Sequence, residues 1–86
     1  MNILEKANEI VNLRSEEKER QYGNFIECMN KTARIASEIS NKKITTEDAY
    51  HVLIALKLAR QSNSHKQDNL LDAVAYIASL NNYKSK

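Results

Sequence analysis

Lys57, Arg60, His65, Asp68, Asp72 and Tyr76 are the residues of this chain whose types and spacing could do chemistry. Side chains three or four apart share one face of a helix. Lys57 and Arg60 therefore line one face of a helix that ends near Gln61. Asp68, Asp72 and Tyr76 line one face of the helix that follows. Counted outward from the Ser62-Asn63-Ser64 turn, Arg60 and Asp68 fall near the closed end of the hairpin. Lys57 and Asp72 fall about one turn further along. Two chemistries fit this stripe. It could be a pair of interhelical ion pairs that fix the register and stabilise by about 0–1 kcal/mol each. It could instead line a polar pocket. There Arg60 would grip a phosphate or carboxylate in bidentate fashion, and the first N–H groups of the helix, around His65 to Asp68, would favour the same anion. Tyr76 would add a ring face or a hydroxyl.

A second candidate group is Arg20 and Tyr22, which flank Gly23 at a helix junction and could complete a pocket from another helix or another subunit. Other reactive groups point elsewhere. His65 starts a helix and is expected at the surface; His51 is expected at the edge of the apolar face, and Cys28 on the inner edge of its helix. His65 and Asp68 alone are too few ligands for a zinc site. No Ser/His/Asp or Cys/His arrangement is visible, nor a glycine-rich phosphate loop. No catalytic or metal-binding residue is assigned.

These residues need helices to position them. The chain has 86 residues, no proline and a single glycine, Gly23, a composition that leaves too few turn residues for a sheet-rich fold. The length suits one all-α domain over residues 1–86, either a four-helix up-down bundle or a pair of hairpins. Apolar spacing marks four helices. The first runs from about Asn2 to Glu19, with Ile3, Leu4, Ala7, Ile10 and Val11 as a narrow stripe and a wholly polar end from Glu16. Gly23 ends it and Asn24 caps the second. That helix reaches about Ser40, with Phe25, Met29, Thr32, Ala36 and Ile39 inward. Thr45 and Asp48 form a capping box for the third, which spans about Thr46 to Gln61. Its centre, Val52-Leu53-Ile54-Ala55-Leu56, is apolar all round, so this is the expected central helix or the one that meets a second subunit. Ser64 and Gln67 suggest another capping box for the fourth, about His65 to Asn81, with Leu70, Leu71, Val74, Ile77 and Ala78 inward.

Charge and size bound the partners. Thirteen basic and 11 acidic residues give a net charge of +2, too balanced for a broad nucleic-acid footprint, so DNA is an unlikely partner. No segment reads as a membrane span or signal peptide. The lone cysteine fits a reducing setting, and the expected location is the cytoplasm. A chain this short commonly gains buried area by association, so a homo-oligomer is expected.

With its motifs in order, the chain resembles a family of short, uncharacterised phage and prophage helical domains. The matching residues are Arg20, Tyr22-Gly23, Ile44-Thr45-Thr46-Glu47-Asp48, Lys57-Leu58-Ala59-Arg60, and His65, Asp68, Asp72 and Tyr76. The chain departs at Cys28, where the family often has Asn, and at Ala75, where Gly often precedes the Tyr. More distantly, the Asp72 to Tyr76 helix resembles the last helix of MazG-like nucleotide pyrophosphatases. That resemblance implies magnesium-dependent hydrolysis of a nucleoside triphosphate, with Asp68 and Asp72 as one carboxylate pair. A second pair is poorly matched: Glu16 and Glu19 lie on a wholly polar segment, and Glu27 stands alone. The leading expectation is a phage-type protein, in the host cytoplasm, that binds a phosphate-bearing nucleotide without turnover and sequesters a host signal in anti-defence. The ligand would be held by Arg20, Tyr22, Lys57, Arg60, His65, Asp68, Asp72 and Tyr76, with no cofactor. The alternatives are the magnesium-dependent pyrophosphatase and a protein-interaction module.

Overall fold

A computed structural model describes residues 1–13 and 24–85. Among these residues the chain forms four helices and no strand: α1 (Ile3–Asn12), α2 (Phe25–Ser40), α3 (Thr46–Asn63) and α4 (Gln67–Lys84). The end of the first predicted helix, with Glu16 and Glu19, and the Gly23 stop lie outside the described residues.

Local chemistry sets most helix starts. Asn2 accepts the Glu5 N–H, and the Glu5 side chain accepts from the Asn2 N–H, a capping box that opens α1. Asn24 accepts from Ile26 and Glu27 at the start of α2. Thr45 and Asp48 form the expected box at α3. The expected Ser64–Gln67 box is not formed. α3 runs on to Asn63, Ser64 becomes its C-terminal cap, and α4 opens at Gln67 behind Lys66 with no side-chain cap. Gln61 takes over the turn instead: its Oε1 accepts the Lys66 N–H at 3.1 Å.

α3 and α4 form an antiparallel hairpin. Lys57 meets Asp72, Tyr50 meets Ser79 and Glu47 meets Lys84, so each step back along α3 is matched by a step forward along α4. α1 packs mainly on α4, and α2 packs mainly on α3 with a smaller contact to α4. The central helix is therefore α4 and not α3. The reason lies in side-chain size: α4 presents Ala73, Ala75 and Ser79 to its neighbours, and these small residues let helices approach closely.

The core is correspondingly small-residued. Ala7, Ala33, Ala49, Ala73 and Ala75 are buried, and Met29 and Tyr50 supply the bulk. Phe25, Leu53, Tyr76, Leu80 and Tyr83 lean half-buried on the Met29–Tyr50 cluster. Several expected core positions face solvent: Ile39 is 81% exposed and Ile77 51%, and Cys28 is exposed. On α2 the buried face is the one through Met29 and Ala33, so Cys28, Ile35 and Ile39 fall to its side. His51 is exposed and lies 3.7 Å from Glu47.

Candidate functional site

The turn between α3 and α4 and the last turn of α3 form the site. Ala59, Arg60, Asn63, Ser64, Lys66 and Asn69 line an open cleft of about 560 Å³ there. Arg60 and Lys66 bring two cations to one concavity with two amides and a hydroxyl. Among the described residues neither cation meets a carboxylate within 4.0 Å. α4 begins at this cleft without a side-chain cap. Its first-turn N–H groups and the positive end of its dipole therefore add to the anion-attracting field. Asp68, exposed in the same turn, is the acid that opposes it.

Of the two expected ion pairs, one is formed. Lys57 Nζ lies 2.9 Å from Asp72 Oδ2, with the lysine side chain only 18% exposed and the aspartate 40%. Arg60 and Asp68 do not pair: Asp68 points to solvent while Arg60 lines the cleft. The stripe is thus divided into a self-neutralised level, Lys57 with Asp72, and a cationic level at the hairpin end.

His65 is exposed beside the cleft and its Nδ1 is hydrogen-bonded to Gln61 Nε2. The Gln61 oxygen already accepts from Lys66 N–H, so the Gln61 amide nitrogen donates. His65 Nδ1 is then the acceptor, and the ring proton resides on Nε2. The histidine braces the turn in this geometry. Tyr76 is placed elsewhere. Its ring meets Phe25 edge-on, with centroids 5.5 Å apart and planes at 72°, and it packs on the core cluster. Seven residues of helix, roughly 10 Å, separate it from Asn69 at the cleft. Arg20 and Tyr22 lie outside the described residues.

Spacing along helix faces could not reveal Lys66, Asn63 and Asn69 as lining residues. Lys66 belongs to the turn, where the three-and-four rule does not apply. Asn63, three residues after Arg60, falls in the turn when α3 is expected to end near Gln61, whereas the helix runs on to Asn63.

Among the described residues no three His, Cys, Asp or Glu side chains gather as a metal site would require. Asp72 is engaged by Lys57 and Asp68 stands alone. No helix of the described residues is long and apolar enough to cross a membrane.

Fold and site together define a small all-helical domain with a cationic cleft at the closed end of a helical hairpin. The sequence matches the domain of unknown function DUF6378 over residues 2–84, and the chain belongs to that family. No curated protein and no solved structure matches it.

Proposed function

We propose that this domain binds the phosphate group of a nucleotide-type small molecule at the Arg60–Lys66 cleft and does not turn it over. The observation that carries this reading is the pairing of two cations that, among the described residues, have no carboxylate within 4.0 Å with the uncapped start of α4. Arg60 supplies a planar fork for phosphate oxygens. Lys66 adds a point charge, and Asn63 and Asn69 offer amide donors and acceptors for the rest of the ligand. Lys57 and Asp72 act as positioning residues that hold the hairpin register beneath the cleft. His65 and Gln61 fix the turn that carries Lys66.

Sequestration of a phage-encountered nucleotide signal is the biological role this reading favours, because tight binding without turnover is what sequestration requires. A magnesium-dependent pyrophosphatase would need a cluster of carboxylates. Here one of the two candidate acids, Asp72, is committed to a lysine. Calorimetry of the full chain against mono-, di- and triphosphate nucleotides and cyclic dinucleotides tests the proposal. Saturable binding that weakens at least 10-fold in Arg60→Ala supports it. Absence of binding across the panel, or binding indifferent to Arg60→Ala, overturns it. Release of pyrophosphate in the presence of magnesium would move the domain to the hydrolase reading.

A second reading, self-association through α3, rests on a separate observation. Val52 is 64% exposed, Leu56 41% and Leu58 49% in the middle of that helix.

A further inference from the structure

We propose that the domain carries a second anion site, for the phosphoryl end of a small molecule, in the cleft between α2 and the α2–α3 connection. The cleft has a volume of about 530 Å³ and is lined by Asn30, Ala33, Arg34, Ser37, Lys43, Ile44, Thr45 and Thr46. No acid lines it. Arg34 comes from α2 and Lys43 from the connection, and among the described residues neither has a carboxylate within 4.0 Å. The acids nearest in sequence are engaged elsewhere or exposed: Glu38 is exposed on α2, Glu47 meets Lys84 and His51, and Asp48 is turned to its own cap, its Oδ2 accepting the Thr45 N–H at 3.0 Å.

The floor of the cleft is a preorganised hydrogen-bond frame. Ser37 Oγ lies 2.8 Å from Ala33 O and 3.0 Å from Ile44 O, which share its single hydroxyl proton, and it accepts the Ile44 N–H at 2.8 Å. One side chain therefore clamps the connection to α2. Asn41 adopts the left-handed conformation that ends α2, and the Lys42 N–H returns to Ser37 O at 3.3 Å. Thr46 Oγ1 donates to Asn30 Oδ1 at 2.7 Å, in a partly buried bond that orients the amide. With Oδ1 so engaged, Asn30 Nδ2 is a donor with no acceptor among the described residues. An arginine fork, an ammonium and an amide group thus line one concavity. Oxyanions with several acceptor oxygens suit that set, and phosphoryl groups supply three. Ala33 and Ile44 leave an apolar wall for the carbon part of the ligand.

This cleft lies at the N-terminal end of α3, whereas the Arg60–Lys66 cleft lies at its C-terminal end. The 18 residues of α3 span roughly 27 Å, so a single small ligand cannot bridge the two, and each stands or falls alone.

The test is a ¹H–¹⁵N titration of the full chain with inorganic phosphate and with pyrophosphate, at ionic strength held constant with chloride. Saturable shifts are expected at the Asn30 side-chain amide and the backbone of residues 43–46. In Arg34→Ala/Lys43→Ala, whose replaced side chains are exposed, the apparent affinity at these signals should fall at least 10-fold. Arg60→Ala/Lys66→Ala should leave it within twofold. The proposal is overturned if the Asn30 amide shows no saturable shift, or if the Arg34/Lys43 double variant titrates like the wild type. It is equally overturned if shifts appear at every exposed lysine and arginine alike. Shifts confined to the Asn63–Asn69 segment would overturn this site while leaving the hairpin-end proposal standing.

Discussion

Tyr50 is fully enclosed, and its hydroxyl lies 2.6 Å from Ser79 Oγ, also fully buried, at the centre of the α3–α4 contact. This bond joins the two side chains that would otherwise leave polar atoms stranded inside a core of alanines. Tyr50→Phe should cost about 1–2 kcal/mol in urea unfolding, because Ser79 loses its partner while the ring volume is kept. A change below the experimental error would remove the bond from the account. The phenol also gives a pH signature. Burial raises the Tyr50 pKa above the ordinary tyrosine value, with the Ser79 bond opposing part of that rise. A raised pKa means that the folded state keeps a proton the unfolded chain has released. The contribution is therefore complete below the ordinary tyrosine range and is lost as pH climbs through the raised value. Stability should fall above about pH 10, and part of that fall should be missing in Tyr50→Phe. At the hairpin stripe, a Lys57→Ala/Asp72→Ala double-mutant cycle should give a coupling of about 0.5–1 kcal/mol, discounted because Asp72 is half-exposed. Arg60→Ala should change stability by less than about 0.5 kcal/mol, since among the described residues Arg60 has no ion-pair partner to lose; a larger loss would mean that Arg60 is structural. The Lys57–Asp72 pair was legible in the sequence, because both residues fall at one height of a hairpin whose turn was evident. Arg60 with Asp68 was not, because height alone does not fix the face: the exposed start of α4 points Asp68 to water. Tyr76 was misleading for a similar reason. Its ring direction is decided by Phe25, on a helix that is distant in sequence.

At the scale of elements, the connection between α2 and α3 is the most tightly specified segment. Ser37 holds both the N–H and the C=O of Ile44, and Thr45 and Asp48 cap each other's backbone. These bonds also lower the Asp48 pKa, the backbone bond from Thr45 being the main cause. A lowered carboxylate pKa stabilises the fold above the ordinary Asp value and is lost as pH falls through the lowered one. Ser37→Ala should cost about 1–2 kcal/mol, since it leaves the partly buried Ile44 N–H without its acceptor and removes the hydroxyl proton that Ile44 O shares with Ala33 O. Thr45→Ala should cost about 1 kcal/mol. Hydrogen exchange at Ile44 reports the first directly: protection should drop sharply in Ser37→Ala, and unchanged protection would mean that the loop is held by other contacts. Helix order and most starts were readable because caps are local chemistry, as Asn24 and Thr45 illustrate. The start of α4 was not, because Ser64 had the right residue type for an N-cap but was consumed by the longer run of α3. Helix faces were the least readable. Apolar spacing gives large side chains the inward direction by default, yet α4 buries Ala73, Ala75 and Ser79 and leaves Ile77 half in water. Small residues win where close helix approach contributes more than the bulk of one isoleucine.

At the scale of the whole molecule, the small-residued core has a counterpart on the surface. On α3, Val52, Leu56 and Ala59 recur at spacings of four and three and are all exposed, the pattern of a seam that faces another helix. Cys28, Ile35 and Ile39 make a comparable exposed line along α2. A domain of 86 residues that leaves Val52 at 64% and Ile39 at 81% exposure holds back apolar area that a second copy could cover. A helix face used by both copies gives a closed two-fold contact, the commonest arrangement for a homo-oligomer. Light scattering at about 100 µM should therefore find a dimer or larger assembly, a concentration at which association of modest micromolar strength is already complete. Val52→Glu/Leu56→Glu should convert it to a monomer whose helical content is kept, because neither side chain belongs to the buried core of the single chain. A wild-type monomer at that concentration would remove self-association from the description. A variant that unfolds would instead locate Val52 and Leu56 inside the fold. The Arg60–Lys66 cleft discriminates further: if the copies meet along α3, Arg60, one step beyond Ala59, lies at the rim of the contact. Ligand affinity should then fall on dilution or in the glutamate variant. Affinity unchanged in the monomeric variant would show that the cleft is complete within one chain.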